Sequence, residues 1–200
     1  MSLMSATRTR QKRETHRKIF DAALHLFRTQ GVEATSVDQI VQAAGVSKGS
    51  FFVHFPTKDA IFTLYVDHLT AELLPSLPQW MQLAPLSGLQ QATQALTEAV
   101  EQDLGLVPYI IQAELLGQPW DDGRPTALQQ LFGPLVAEAQ SSGDLRHDLS
   151  VSQIVDHLLS TYFIALIWGF RRGQRLGSAI ALPMRLALDG VRPRPEEARL

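Results

Sequence analysis

A chain of 200 residues, 45 % of them apolar and 19 % charged, can bury a substantial core in one large or two small domains, and wholesale disorder is excluded. It holds no cysteine, which excludes disulfides and thiol catalysis and fits a reducing compartment. A formal net charge of −2 argues against nucleic acid, but the charge is unevenly placed: residues 1–60 carry nine Lys or Arg against five Asp or Glu, and residues 61–200 carry nine against fifteen. A basic head on an acidic body directs a polyanion to one end of the molecule.

No uninterrupted run of about 18 apolar residues occurs, and no hydrophobic region follows the basic N-terminus. Neither a membrane span nor a signal peptide is expected, and a cytoplasmic protein is. Met1-Ser2-Leu3-Met4 reads as a cloning remnant ahead of a native start at Met4.

Residues 5–18, SATRTRQKRETHRK, are polar and basic, and residues 1–11 are expected to be a disordered arm. Such an arm either stays solvated or settles on phosphates, adding salt-dependent affinity with little sequence reading. His16 fits a phosphate contact of this kind. Ile19, Ala22, Ala23, Leu26 and Phe27 follow the i, i+3, i+4, i+7, i+8 pattern of a one-faced helix that ends at Gly31.

From Thr35 to Lys58 the chain reads TSVDQIVQAAGVSKGSFFVHFPTK. Thr35 with Asp38 three residues on forms a capping-box pattern, and Val37, Ile40, Val41 and Ala44 recur at helical spacing. Gly45 supplies the positive φ past the helix end, and Ser47 caps a second helix. The result is a helix-turn-helix. Phe51 and Phe55 anchor the second helix from inside, leaving Lys48, Gly49, Ser50, Phe52, Val53 and His54 outward or at the edges. A glycine beside a lysine suits close approach to a DNA major groove. Pro56 then breaks the chain, Thr57 caps a new helix with Asp59 in its first turn, and Lys58 sits where the helix dipole favours a phosphate.

From about Arg17 to Ile61 the chain resembles the N-terminal domain of the TetR (tetracycline repressor-like) family of bacterial one-component regulators. The segments IFDAALHLFRTQGVEATSVDQI, AAGVSKGSFFVHF and TKDAIF carry the resemblance. The family usually places a Tyr where Phe52 stands and often a second bulky ring at Val53, so the phenol contact to a phosphate is missing here. The resemblance implies a homodimeric, ligand-responsive repressor on a palindromic double-stranded operator, in which the helix after Pro56 transmits movement from body to DNA head. Lys48, Gly49, Ser50 and Phe52 are then the candidates for the base side, with Val53 also in the DNA-binding set. Thr35, Ser36, Ser47, His54 and Lys58 are those for phosphate.

The remainder reads as helical throughout, so the fold class is all-α: a DNA-binding domain over 12–58, a ligand-binding and dimerisation domain over 59–191, and a polar tail over 192–200. Three prolines between Pro75 and Gly88 point to a loop or broken helix, after which Ser87 is expected to cap a helix to about Asp103. Leu104–Gln118 is short and apolar, GQPWDDGRP is a turn-rich joint, and a helix over about 126–142 has a kink at Gly133-Pro134. In Ser150–Arg172 one stripe holds Val151, Ile154, Val155, Leu158, Leu159, Tyr162, Phe163, Leu166 and Phe170, and a second holds His157, Thr161, Ile164 and Trp168. A helix apolar on two sides is buried on two sides, most simply against its copy in a second subunit. A last helix covers about 178–190, bent at Pro183, and the last two helices are expected to form a homodimer.

The chain has no phosphate-cradling glycine motif, H-E-x-x-H or G-x-S-x-G elbow, so no enzyme and no catalytic residue is expected. Asp156, His157 and His147 could meet a metal only with help from another helix, and no metal or cofactor is assigned. Tyr109, Gln112, Glu114, Trp120, His157, Thr161, Tyr162 and Trp168 could line a pocket for a small, largely apolar effector; the alternative is that the aromatics fill a helical core. Two rival readings remain: a helical small-molecule binding protein or enzyme without specific DNA binding, and an adaptor docking another protein through its C-terminal helices.

Overall fold

The computed structural model describes residues 3–116 and 126–193, and side chains over 10–113 and 126–193. All regular structure among the described residues is helical, as the sequence predicts. The chain divides into two compact units, Met1–Leu64 with Pro108–Leu116, and Tyr65–Val107 with Gly117–Leu200. Trp120 and the tail from residue 194 lie outside the described residues.

The first unit holds α1 (Leu3–Gln30), α2 (Val37–Ala44), α3 (Lys48–His54), the start of α4 (Ala60–Leu73) and most of α7 (Val107–Leu116). Residues 3–11 of the stretch expected as a free arm are instead the first part of α1. No glycine or proline interrupts Leu3–Gln30, and i, i+4 pairs of Lys18 with Glu14 (3.1 Å) and Arg17 with Asp21 (3.9 Å) favour the helix. Ile19, Phe20, Ala23, Leu24 and Phe27 form its buried face, in a core shared with Ile40, Phe51, Phe55, Ile61 and Phe62. Phe27 stacks on Phe62 and Phe62 on Tyr109, each pair with centroids 5.2 Å apart. That ladder attaches α7 to the first unit, although Tyr109 lies far along the chain.

The second unit contains the rest of α4, α5 (Leu77–Trp80), α6 (Pro85–Glu101), α8 (Ala127–Ser141), α9 (Val151–Arg171) and α10 (Leu176–Gly190). The proline-rich stretch is a broken helix, a 3₁₀ turn at Leu74–Ser76 followed by α5. Ser87 is no cap: α6 starts at Pro85, a residue suited to the first helical position because its missing N–H is unpaired there anyway. Thr126 with Gln129 and Ser150 with Gln153 form complete capping boxes that begin α8 and α9. Both α8 and α10 continue through their prolines, Pro134 and Pro183.

Buried residues of α6, α8 and α9, among them Leu89, Leu96, Leu131, Leu135, Ile154 and Leu158, fill the core of this unit. At its edge the Tyr65 hydroxyl donates to buried Asp103 at 2.5 Å. By length and composition α9 would suit a membrane span, but one of its faces packs on α8 and α10. That packing depends on Gly169, where a Cβ would lie 2.6 Å from the Ala179 Cβ. Gly169→Ala is therefore expected to push α9 and α10 apart and cost about 1–3 kcal/mol, read as a lower denaturant midpoint. An unchanged midpoint would mean that the pair has slack.

Candidate nucleic-acid interface

The turn between α2 and α3 is defined by hydrogen bonds at both ends. Ser36, not Thr35, caps α2: its hydroxyl accepts from the Gln39 amide at 3.2 Å, and the Gln39 side chain accepts from the Ser36 amide at 2.8 Å. Asp38 falls one residue short of the box position that Gln39 takes, and its carboxylate pairs instead with Lys48 at 2.8 Å, tying the starts of the two helices together. Gly45 closes α2 at φ 65°, ψ 37°, and the Val46 amide reaches back to the Val41 carbonyl at 3.0 Å. Ser47 caps α3 by accepting from the Ser50 amide at 3.1 Å.

Phe51 and Phe55 are buried with ring centroids 5.7 Å apart, whereas Phe52 is 48 % and Val53 73 % exposed. A Cβ on Gly49 would meet nothing nearer than the Ser47 hydroxyl at 4.0 Å. The fold therefore does not require glycine there. Lys48, Gly49, Phe52 and Val53 form an exposed row, with Ser50 and His54 half-buried at its edges. Ser36 and Ser47 are exposed beside it.

Two residues expected at phosphate are placed otherwise. Thr35 is buried, its hydroxyl donating to the Gly31 carbonyl at 2.7 Å and accepting from Gln30. The half-buried Lys58 ammonium donates to the carbonyls of Val32 and Thr35 at 2.8 and 3.1 Å, closing the loop between α1 and α2. Both serve that loop because its carbonyls lie outside any helix and need partners; only Val32 also accepts from a backbone amide, that of Thr35 at 3.2 Å.

The residues expected in an effector pocket do not form one set. Tyr109 and Gln112 belong to the first unit, where the Tyr109 hydroxyl donates to Glu33 at 2.7 Å. The Glu114 side chain, like Trp120, is outside the described residues. His157, Thr161 and Trp168 line shallow grooves along α9 and α10 on an outer face. Tyr162 alone is buried, its hydroxyl facing Thr97, and burial holds that hydroxyl above its usual pKa. Asp156, which accepts from Gln129 at 3.1 Å, and His157 join no group of three potential metal ligands among the described residues.

A further groove in the second unit was not anticipated. About 650 Å³ lies between α6 and α10, with Thr93, Thr97, Glu101, Arg175 and Arg185 among its walls and Ile180 and Met184 in its floor. A row of Gln90, Gln94, Glu98 and Glu101 at helical spacing was the available signal, and it reads equally as a solvated face.

Residues 19–64 match the family model for bacterial regulatory proteins, tetR family. The chain carries the N-terminal domain of the tetR family. Over 59 residues it is 44 % identical to the HTH-type transcriptional regulator AcrR of Shigella flexneri, a match covering 29 % of this chain and 27 % of AcrR. This chain thus spans about a quarter of that relative's length. A longer match, 25 % identical over 159 residues, joins 74 % of this chain to 79 % of the transcriptional repressor DhaR of Mycobacterium sp. (strain GP1). Among solved structures, the tetR-family repressor FadR of Thermus thermophilus, in complex with lauroyl-CoA, superimposes with a TM-score of 0.72 at 28 % identity. That superposition covers 90 % of this chain and 97 % of FadR.

In this tetR-family head, Lys58 is a strut between elements. Lys58→Met is expected to lower the head's stability by about 1.5–3 kcal/mol without any DNA, read by thermal or chemical unfolding. Unchanged stability would return Lys58 to the solvent-facing set.

Proposed function

We propose that the protein is a homodimeric, ligand-responsive transcriptional regulator, a repressor that a small effector releases from a palindromic operator. One observation carries the DNA reading: a short helix pinned by Phe51 and Phe55 presents an exposed row, Lys48, Gly49, Phe52 and Val53, in which the fold does not require the glycine and Lys48 has only the exposed Asp38 carboxylate as partner. The row has the reach of a major-groove reader, with Lys48 for guanine acceptors and the two apolar side chains for thymine methyls or sugar. Ser36, Ser47 and His54 are the phosphate contacts of this reading. The DNA target puts the working protein in the cytoplasm.

Dimerisation through the last two helices is supported by what α9 and α10 leave exposed. Ile164 and Trp168 on α9 and Leu182 and Leu186 on α10 are each at least half exposed. The guanidinium groups of Arg171 and Arg172 lie 5.7 and 5.3 Å from the Trp168 ring centroid. A second copy covering this face would place two reading helices in successive major grooves, about 34–36 Å apart.

The effector reading draws on the lauroyl-CoA bound to the FadR relative and on the groove between α6 and α10, whose apolar floor and charged walls suit an amphiphile. Its action is a population shift: an effector that prefers the conformation with misplaced heads weakens DNA binding by its differential affinity for the two states.

The test is a titration of labelled duplexes from the DNA flanking the protein's own coding sequence, against scrambled duplexes, at two salt concentrations, with mass in solution measured alongside. Sequence-selective, salt-dependent binding by a dimer is expected; a protein that ignores every duplex rejects the reading. Lys48→Ala is expected to cost about 1–3 kcal/mol on the preferred duplex and to blur sequence preference, while an equal loss on all sequences would make Lys48 a phosphate contact. Trp168→Glu combined with Leu186→Glu is expected to give a folded monomer with weakened operator binding. A variant that remains dimeric would place the interface elsewhere.

A further inference from the structure

Where α1 passes the end of α3, three side chains able to carry positive charge come together, and no carboxylate among the described residues pairs with them. The His16 ring lies flat on Phe55, with centroids 4.7 Å apart and planes at 7°, and the His54 ring stands 5.6 Å from His16. Lys12, one turn before His16, bears on both rings through its charge. The carboxylates of this region are engaged elsewhere: Glu14 with Lys18 and towards Arg10 and Arg17, Asp21 with Arg17, and Asp38 with Lys48. His16 feels burial first, then His54 and Lys12, and His54 feels burial, then Lys12. All these influences hold both imidazoles below their ordinary pKa.

With the charged form of both imidazoles disfavoured, the pair takes up a proton readily only when something of opposite sign stands beside it. A metal ion is a poor candidate, because it would meet two imidazoles and be repelled by Lys12. A phosphate suits all three groups as acceptor, and the place is apt: His54 closes α3 directly after the exposed Val53.

We propose that Lys12, His16 and His54 form a phosphate-binding patch beside the reading helix, and that a DNA phosphate entering it brings a proton onto the imidazole pair. This rests on the DNA-binding reading above. It adds α1 residues to the interface and makes affinity depend on pH. The phosphate supplies the missing counter-charge and accepts charge-assisted hydrogen bonds, so the imidazole pKa is higher in the complex than in the free protein. The sign follows. Extra affinity is fully present below the free-protein pKa, declines as pH rises through the interval, and is gone above the pKa of the complex. Each proton taken up changes the binding constant by up to about tenfold per pH unit within that interval.

The experiment titrates the full chain into a scrambled duplex of about 30 base pairs, since phosphate-driven binding needs no operator, at fixed ionic strength from about pH 5.5 to 8. Wild-type affinity is expected to fall as pH rises. His16→Gln and His54→Gln are each expected to flatten the profile, with thermal melting confirming that they fold; His54 supplies the second variant should loss of the Phe55 stack unfold the first. In the protein without DNA, Lys12→Met is expected to raise the imidazole titration midpoints seen by NMR, which a purely structural lysine would not do. Binding that is strong but independent of pH overturns the patch and leaves the DNA reading standing. A pH profile unchanged in both histidine variants also overturns it, by placing the proton elsewhere. Failure to bind any duplex at any pH overturns both.

Discussion

A seven-residue helix has no stability of its own in water, because nucleation costs more than so few hydrogen bonds return. Here α3 exists because Phe51 and Phe55 are held in the core of the first unit, because Ser47 satisfies an amide at its start, and because Lys48 is tied to Asp38 on α2. Burial of two phenylalanines contributes about 1.5–3 kcal/mol each, more than a cap or an exposed ion pair. With the two rings inward, the helical period leaves Phe52 and Val53 outward. The exposed row follows from the same fact that makes the helix stable.

The support beneath α3 is built from unlike parts. The loop between α1 and α2 is closed by Lys58, Gln30 and the Thr35 hydroxyl, all used on backbone carbonyls and on one another. Behind it, the stack of Phe27, Phe62 and Tyr109 recruits α7 to the first unit, reinforced by the bond from Tyr109 to Glu33. A helix distant in sequence thus shares a core with the helix-turn-helix.

In the second unit the decisive contact is the close approach of α9 and α10 at Gly169. One face of α9 is consumed by its neighbours, while Ile164 and Trp168 remain outside. The inner stripe was legible from 3.6-residue periodicity as far as Leu166, whereas Phe170, drawn into the same stripe, stands exposed. By contrast, the pocket set drawn from aromatic and polar residues was not recoverable. Tyr109, Tyr162 and Trp168 look alike as sequence, yet one stacks in the first unit, one is buried in the second and one stands half in solvent.

The all-helical class, the helix-turn-helix and its inner phenylalanines were determined by sequence alone, since caps, glycine turns and apolar spacing act over a few residues and leave their mark in order. The choice of Ser36 over Thr35 as cap was near the limit of that information: neighbouring hydroxyls compete, and the winner depends on Gly31 and Gln30 accepting the loser. Only the tertiary structure decided that Lys58 turns inward, that α7 joins the head, and that Lys12, His16 and His54 meet. Each of these depends on which groups distant in the chain come within a few ångströms, and no local periodicity encodes that.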